Sequence, residues 1–182
     1  MAPQRQAPVG QRVVGVGRRR HAPAQPGHGA FAPPRFESAV FALAAAGYVP
    51  VITHPERLTW IESHYSIMQR LAAHGVWMQV TAGALTGRFG RRPRYWAERM
   101  LDEGLAHLLA TDAHDASARA PRLAEARDCA AQRVGDAEAL RLVLHRPQAI
   151  LKNLDPALVE APRPPERAGG PWQRVQELFA WH

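Results

Sequence analysis

Residues 47–57 read GYVPVITHPER and decide the fold class of this 182-residue chain. Gly47 is the kind of residue that ends a helix in the left-handed conformation, and residues 49–53 form a short apolar run typical of a buried strand. A polar segment, His54-Pro55-Glu56-Arg57, follows at once. The stretch therefore predicts a helix end, a strand and a functional turn in direct succession.

The same order occurs three times along the chain. Helix-ending glycines stand at positions 47, 75 and 104, so the units repeat every 28 and 29 residues. Units of this length need right-handed crossovers, which make the strands parallel and predict an α/β fold. The predicted strands are residues 49–53, 76–81 and 105–111, and the predicted helices are residues 35–46, 59–74, 94–103, 121–134, 136–144 and 147–151.

Composition divides the chain into three parts. Residues 1–34 hold six prolines, five glycines and no acidic residue, which predicts a disordered basic leader without helix or strand. Residues 35–154 carry the α/β pattern. Residues 155–182 form a proline-rich tail whose end shows apolar residues at helical spacing, at Trp172, Val175 and Phe179, which predicts a short C-terminal helix.

Charge and cysteine content exclude several classes of protein. The net charge is +7, but residues 36–182 balance 17 basic against 16 acidic residues, so the excess belongs to the leader and argues against a nucleic-acid-binding body. One cysteine, Cys129, excludes an internal disulfide and a cysteine-based zinc site. The sequence has neither a membrane-spanning run nor a secretory signal, and we expect a cytoplasmic protein.

Candidate metal ligands follow two of the predicted strands. His54 comes directly after residues 49–53, and Asp112 and His114 come directly after residues 105–111. Parallel α/β proteins place their chemistry beyond the carboxyl ends of the strands, and alternate residues of an extended segment point to one side. Carboxylate and imidazole ligands suit manganese, iron or zinc ions. A single histidine is more often structural, so the prediction depends on the coincidence of these residues at neighbouring strand ends.

Arginines at the same strand ends predict a phosphate site. Arg57 and Arg119 flank the predicted ligands, and their guanidinium groups could bind a phosphate through paired hydrogen bonds. Arg88, in the glycine-rich loop after the second strand, is a further candidate for substrate binding. Metal ions beside such a site could polarise a phosphoryl oxygen and supply a nucleophile.

Three ordered motifs resemble a known family. The stretch GYVPVITHPER at 47–57, the stretch QVTAGALTGRFG at 79–90, and the segment from GLAH at 104–107 through TDAH at 111–114 to Arg119 and Pro121 are similar to segments of bacterial tyrosine-protein phosphatases. These are the PHP-superfamily phosphatases of the CpsB/YwqE type, encoded in capsular and exopolysaccharide clusters. The resemblance covers residues 31 to about 153.

The resemblance implies a partial, distorted (β/α)7 barrel and a manganese-dependent protein-tyrosine phosphatase. It implies that His54, Asp112 and His114 are metal ligands and that Arg57 and Arg119 contact the substrate phosphate and act in catalysis. The expected partner is a phosphotyrosine protein, notably the tyrosine kinase that governs polysaccharide chain length. A homo-oligomer is a further expectation.

The chain also departs from the family pattern. The family begins with a D-x-H-x-H strand and further acidic ligands, whereas this chain has no His-x-His sequence. We expect an N-terminally truncated or frame-disrupted product that holds a metal weakly and has weak activity or none. Two alternatives stay open: a phosphoesterase acting on a small phosphomonoester such as histidinol phosphate, and a non-catalytic barrel fragment that docks to the kinase.

Overall fold

The computed structural model describes residues 12–16, 32, 34–113 and 122–165. Within this part of the chain, four parallel strands form one sheet whose strand order is the chain order. The α/β class with parallel strands is therefore confirmed. The strands are β1 (Arg12–Val16), β2 (Tyr48–Thr53), β3 (Trp77–Thr81) and β4 (Leu108–Ala110).

Helices connect the strands and cover the sheet. Between β1 and β4 they are α1 (Phe36–Ala45), a 3₁₀ turn (Pro55–Arg57), α2 (Ile61–Ala73), α3 (Ala82–Leu85) and α4 (Arg91–Asp102). After β4 they are α5 (Leu123–Val134), α6 (Asp136–Leu140), a π-helical turn (Arg141–His145), α7 (Arg146–Leu151) and a 3₁₀ turn (Pro156–Leu158). None of the described helices is long and apolar enough to cross a membrane.

Strand β1 corrects one prediction. Residues 1–34 were expected to contain no strand, but Arg12–Val16 pairs in parallel with β2, with Val14 opposite Pro50. The stretch RVVGV is rich in β-branched valine, and pairing with the edge of β2 satisfies its backbone, so tertiary contact outweighs the leader composition. Apart from residues 32 and 34, the rest of the predicted leader lies outside the described residues.

The third predicted strand is shorter than expected. The sequence predicts a strand over residues 105–111, whereas β4 contains only Leu108–Ala110. The backbone N–H groups of Leu105 and Ala106 donate to the carbonyl of Met100 at the end of α4, so these residues close the helix instead of joining the sheet. The glycine-rich segment after β3 likewise contains the one-turn helix α3, where a loop was expected.

Both faces of the sheet are covered, as is usual for parallel strands. One face packs against the helices in a core that includes Ile52, Met78, Val80 and Leu109. The opposite face holds a smaller cluster of Val49, Val51, Trp77 and Leu108, against which Ile150 and Val159 pack. The sheet is therefore a rigid platform whose strand ends can position a site.

Arg146 joins the last described segment to α6. Its side chain is 1% exposed and its Nη1 lies 2.7 Å from Oε1 of Glu138, while its Nε donates to the carbonyl of Glu160 at 2.9 Å. The preceding π-helical turn closes with the Arg146 N–H donating to the Arg141 carbonyl. Pro147 has no N–H to continue the α-helical bonding, which accounts for this local widening.

Candidate active site

The candidate site lies where β2, β3 and β4 end side by side. His54 follows β2, Ala82 follows β3, and Asp112 stands two residues beyond β4. The His54 N–H donates to the carbonyl of Gln79 at 2.8 Å, so the hydrogen bonding between β2 and β3 continues one residue beyond β2. The parallel order thus brings together residues that are distant in sequence, as the strand-end argument predicted.

Two of the candidate ligands have unusual backbone conformations. His54 has φ 43° and Asp112 has φ 48°, both in the left-handed region. This region is uncommon for residues other than glycine, and such conformations concentrate at functional sites. Each stands just after a strand, at the same edge of the sheet.

Arg57 and Asp112 form an ion pair across this edge. Nη1 of Arg57 donates to Oδ2 of Asp112 at 3.0 Å, and the two side chains are 16% and 26% exposed. The 3₁₀ turn after β2 carries Arg57, and the segment after β4 carries Asp112. The structure therefore joins a predicted phosphate-binding arginine to a predicted metal ligand.

Glu56 fixes the same turn from the inside. Its side chain is fully buried, and Oε1 accepts a hydrogen bond from the Thr81 N–H at 3.2 Å. Burial raises the pKa of the Glu56 carboxyl to about 7. Oε2 of Glu56 and the hydroxyl of Thr81 have no hydrogen-bond partner among the described residues. The ends of β2 and β3 are thus tied together through a buried carboxyl.

The Phe89 ring also contacts Arg57. The Cζ atom of Arg57 stands 4.6 Å from the centroid of the Phe89 ring, within the range of a cation–π contact. The residue beside it, Arg88, is exposed and lies in the loop between α3 and α4. The loop after β3 therefore contributes an aromatic face to the site.

The donor types fit a divalent metal, but the described part of the chain does not supply a full ligand set. His54 and Asp112 offer an imidazole and a carboxylate, which suit manganese, iron or zinc. No group of three or more histidine, cysteine, aspartate or glutamate residues is placed together within the described ranges. His114 and Arg119, the other predicted site residues, lie outside them.

Sequence reasoning missed three residues of this site. Glu56, Thr81 and Phe89 all belong to the motifs quoted above, but none was given a role. The sequence offers two signals for these residues. One is an acidic residue beside His54 and Arg57, and the other is a single aromatic residue in a glycine-rich loop. Neither signal reveals which side chain turns inward, and that direction decides their roles.

Comparison with known proteins identifies the class. The family model for capsular polysaccharide synthesis, CpsB/CapC, matches residues 33–152, which is more than half of the chain. The chain belongs to this family. The resemblance read from the three motifs is thereby confirmed.

Particular relatives are tyrosine-protein phosphatases. The chain is 37% identical over 87 residues to tyrosine-protein phosphatase YwqE of Bacillus subtilis, covering 47% of this chain and 34% of that protein. It is 30% identical over 116 residues to tyrosine-protein phosphatase CpsB of Streptococcus agalactiae, covering 59% and 46%. The chain thus spans between a third and about half of the length of these curated relatives.

A solved structure shares the fold. A chain from the crystal structures of YwqE from Bacillus subtilis and CpsB from Streptococcus pneumoniae, described as unique metal-dependent tyrosine phosphatases, matches with a TM-score of 0.66 and 29% identity. The match covers 75% of this chain and 55% of that chain. It confirms the fold that the resemblance implied.

Proposed function

We propose that this chain carries a metal-dependent phosphotyrosine phosphatase site for capsular or exopolysaccharide synthesis. One observation carries the proposal: Arg57 is held by Asp112 at the edge of the sheet where His54 also stands. A guanidinium fixed by a carboxylate, at a sheet edge that also carries a histidine, suits phosphate monoester chemistry. The similarity to phosphatases of this family supports the same reading.

In this proposal Arg57 binds and orients the substrate phosphate. Its planar guanidinium offers several N–H donors, which match two phosphate oxygens, while Nη1 keeps its bond to Asp112. Fixing the group before the substrate arrives lowers the entropy lost on binding. Arg119 and Arg88 are proposed to add further contacts to the phosphate or to its protein.

His54, Asp112 and His114 are the residues proposed to hold the metal, and manganese is the proposed ion. When bound, such an ion polarises a phosphoryl oxygen and activates a water molecule as the nucleophile. Asp112 is proposed to have two roles, since it bonds Arg57 through Oδ2 and the two oxygens of a carboxylate offer several acceptor sites.

The proposed substrate is a phosphotyrosine protein in the cytoplasm, with a tyrosine kinase of polysaccharide chain-length control as the partner. Self-association into a homo-oligomer stays a prediction. Leu151 and Leu158, which are 85% and 80% exposed, are apolar side chains that such a contact would bury.

Metal content and hydrolysis, measured together, test this proposal. The full chain is purified with manganese, and bound metal is counted by mass spectrometry while release of phosphate from a phosphotyrosine peptide is followed. We expect wild type to bind about one ion and to hydrolyse the peptide well below roughly 1 per second. The double variant His54→Ala/Asp112→Ala should lose both properties.

Asp102→Ala is the matched control, because Asp102 also pairs with an arginine, Arg133, at 2.9 Å, but lies on α4 away from the strand ends. It should leave metal content and hydrolysis unchanged. Faster hydrolysis of histidinol phosphate than of the peptide would favour the small-substrate alternative. Equal metal content in wild type and the double variant would contradict the proposed site.

A further inference from the structure

We infer that Phe89 is a positioning residue for Arg57, and that Gly83 is required because it leaves room for the Phe89 ring. The inference deepens the proposed function, since it rests on Arg57 as the phosphate-binding group. It assigns a role to the glycine-rich loop after β3. The contribution of that loop to Arg57 is the aromatic face of Phe89.

Asp112 and Phe89 both contact the guanidinium group of Arg57. One side of the guanidinium is fixed by Oδ2 of Asp112 at 3.0 Å, and the ring of Phe89 covers it with 4.6 Å between Cζ and the centroid. An arginine side chain has several rotatable bonds, and each contact of its guanidinium group restrains part of their motion. The aromatic contact removes part of that freedom and favours one orientation of the planar guanidinium group.

Backbone hydrogen bonds and two glycines hold the loop that carries Phe89. The loop is folded back on α3 by backbone hydrogen bonds: the Arg88 N–H donates to the Gly83 carbonyl at 2.8 Å, and the Gly87 N–H donates to the Ala84 carbonyl at 3.0 Å. Gly87 and Gly90 have φ 82° and 89°, which only glycine adopts readily. The backbone on both sides of Phe89 is therefore fixed by the loop itself.

The Phe89 ring packs closely against Gly83. A Cβ atom at position 83 would stand 2.9 Å from Cε2 of Phe89 and 3.2 Å from its Cζ. Such a contact is too close, so a larger residue at position 83 would force the Phe89 ring to shift relative to Arg57. Gly83 does not have a positive φ, so its requirement is steric and comes from the ring.

The turn that carries Arg57 is fixed independently. Glu56, its neighbour, is buried and bonded to the Thr81 N–H on β3. The Arg57 backbone is thus held whether or not the ring is present. Loss of Phe89 should accordingly change the order of the guanidinium and leave the fold intact.

Nuclear magnetic resonance of arginine-labelled full-length chain tests the inference directly. In wild type, the motion of the Arg57 Nε–H group should be restricted, and its signal should be shifted by the ring current of Phe89. Phe89→Leu should abolish the shift and increase the mobility of the guanidinium. Phe89→Tyr should keep both the shift and the restricted motion of wild type. Phe41→Leu, at a half-buried phenylalanine on α1, is the matched control and should leave the signal unchanged.

Gly83→Ala supplies a second test. It should mobilise Arg57 as Phe89→Leu does, and it should have little further effect in the Phe89→Leu background, because the clash then has no ring to displace. An Arg57 signal equally ordered in wild type, Phe89→Leu and Gly83→Ala would overturn the inference.

Binding of phenyl phosphate, measured by calorimetry, separates this inference from the proposed function. We expect Phe89→Leu to weaken binding by about threefold to tenfold, as loss of a cation–π contact at a part-exposed site would. If Arg57→Ala binds phenyl phosphate as wild type does, the phosphate role of Arg57 fails. The arginine signal then still decides whether Phe89 positions this side chain.

Discussion

Nη1 of Arg57 donates to Oδ2 of Asp112 at 3.0 Å, although 55 positions separate the two residues in the chain. The contact spans β3, since Arg57 follows β2 and Asp112 follows β4. It therefore forms only when three consecutive strands have paired in register. The geometry of the candidate site is a direct result of sheet assembly.

The first prediction concerns the shape of the Arg57 side chain. Arg57→Lys keeps the positive charge but loses the planar group that can bond two oxygens at once. We expect phenyl phosphate affinity to fall about tenfold, which corresponds to roughly 1.4 kcal/mol. Isothermal calorimetry at low salt measures it.

Arg99→Lys is the control for this prediction. Arg99 also combines a carboxylate partner, Glu103 at 2.6 Å, with an aromatic face, the Tyr65 ring at 4.3 Å, but it lies on α4. Its replacement should leave phosphate binding unchanged. Equal losses in the two variants would mean that the effect is general electrostatics and not a site at Arg57.

The second prediction concerns the buried carboxyl of Glu56. Glu56→Gln keeps an acceptor for the Thr81 N–H and removes a group that burial disfavours in its charged form, so we expect the unfolding free energy at pH 7 to change by less than about 1 kcal/mol. Glu56→Ala should lower it by about 2–3 kcal/mol, because the Thr81 N–H loses its partner and a cavity forms.

Urea unfolding followed by circular dichroism measures both Glu56 variants. The exposed Glu125 on α5 gives the reference change, and Glu125→Ala should stay within about 0.5 kcal/mol of wild type. If Glu56→Ala were as stable as Glu125→Ala, the buried bond to Thr81 would not hold the turn.

The third prediction is a pH dependence of stability from His107. Burial lowers the pKa of His107 to about 4, from an ordinary value of 6.5, and the positive charge of Arg146 acts in the same direction. His107 therefore binds a proton below about pH 6.5 in the unfolded chain, but only below about pH 4 in the folded chain. The unfolding free energy is therefore unaffected by this group above pH 6.5. It decreases as pH falls from 6.5 towards 4, by at most about 3 kcal/mol.

Comparison with His107→Gln isolates that contribution, since glutamine does not titrate. Glu56 acts in the opposite sense over a similar range, because its raised pKa makes the folded state less stable as pH rises from 4.5 to about 7. The total pH profile therefore mixes the two groups, whereas the difference between wild type and His107→Gln does not. Identical profiles for both proteins from pH 4.5 to 7 would contradict the prediction.

The fourth prediction concerns Gly104, where the tail meets the end of α4. Gly104 has φ 67°, and a Cβ there would stand 2.6 Å from the backbone nitrogen of Pro164. Gly104→Ala should therefore lower the unfolding free energy by about 1 kcal/mol because of the left-handed conformation. The clash should lower it by about 1–3 kcal/mol more. Unfolding in urea measures the sum.

Gly75→Ala is its matched control. Gly75 ends α2 with φ 81°, and among the described residues nothing lies within 4 Å of the position of its Cβ. This variant should lose only the conformational part, about 1 kcal/mol. Equal losses at positions 75 and 104 would show that the segment around Pro164 does not pack on α4 in solution.

Much of the fold is predictable from the sequence because it depends on local signals. The glycines at 47, 75 and 104 all have positive φ and end helices, and the apolar runs after them contain β2, β3 and β4. Strand β1 could not be found in this way, because five residues in an arginine-rich stretch carry only a weak propensity and become a strand by pairing with β2.

The candidate site is predictable only in outline. Strand order places His54, Arg57 and Asp112 at one edge, and this much follows from the sequence. The burial of Glu56 and the contact of Phe89 with Arg57 depend on side-chain directions and on a steric fit at Gly83 of a few tenths of an ångström. No periodicity or spacing encodes such distances.

The order of strands along the sheet also bears on how the chain acquires its structure. Each ladder joins residues about thirty positions apart, such as Ile52 with Met78 and Val80 with Leu109, so every pairing closes a loop of modest length. During synthesis, each helix-and-strand unit can dock on the one that left the ribosome before it. We expect the sheet to grow in one direction, with the ion pair of Arg57 among the last contacts to form.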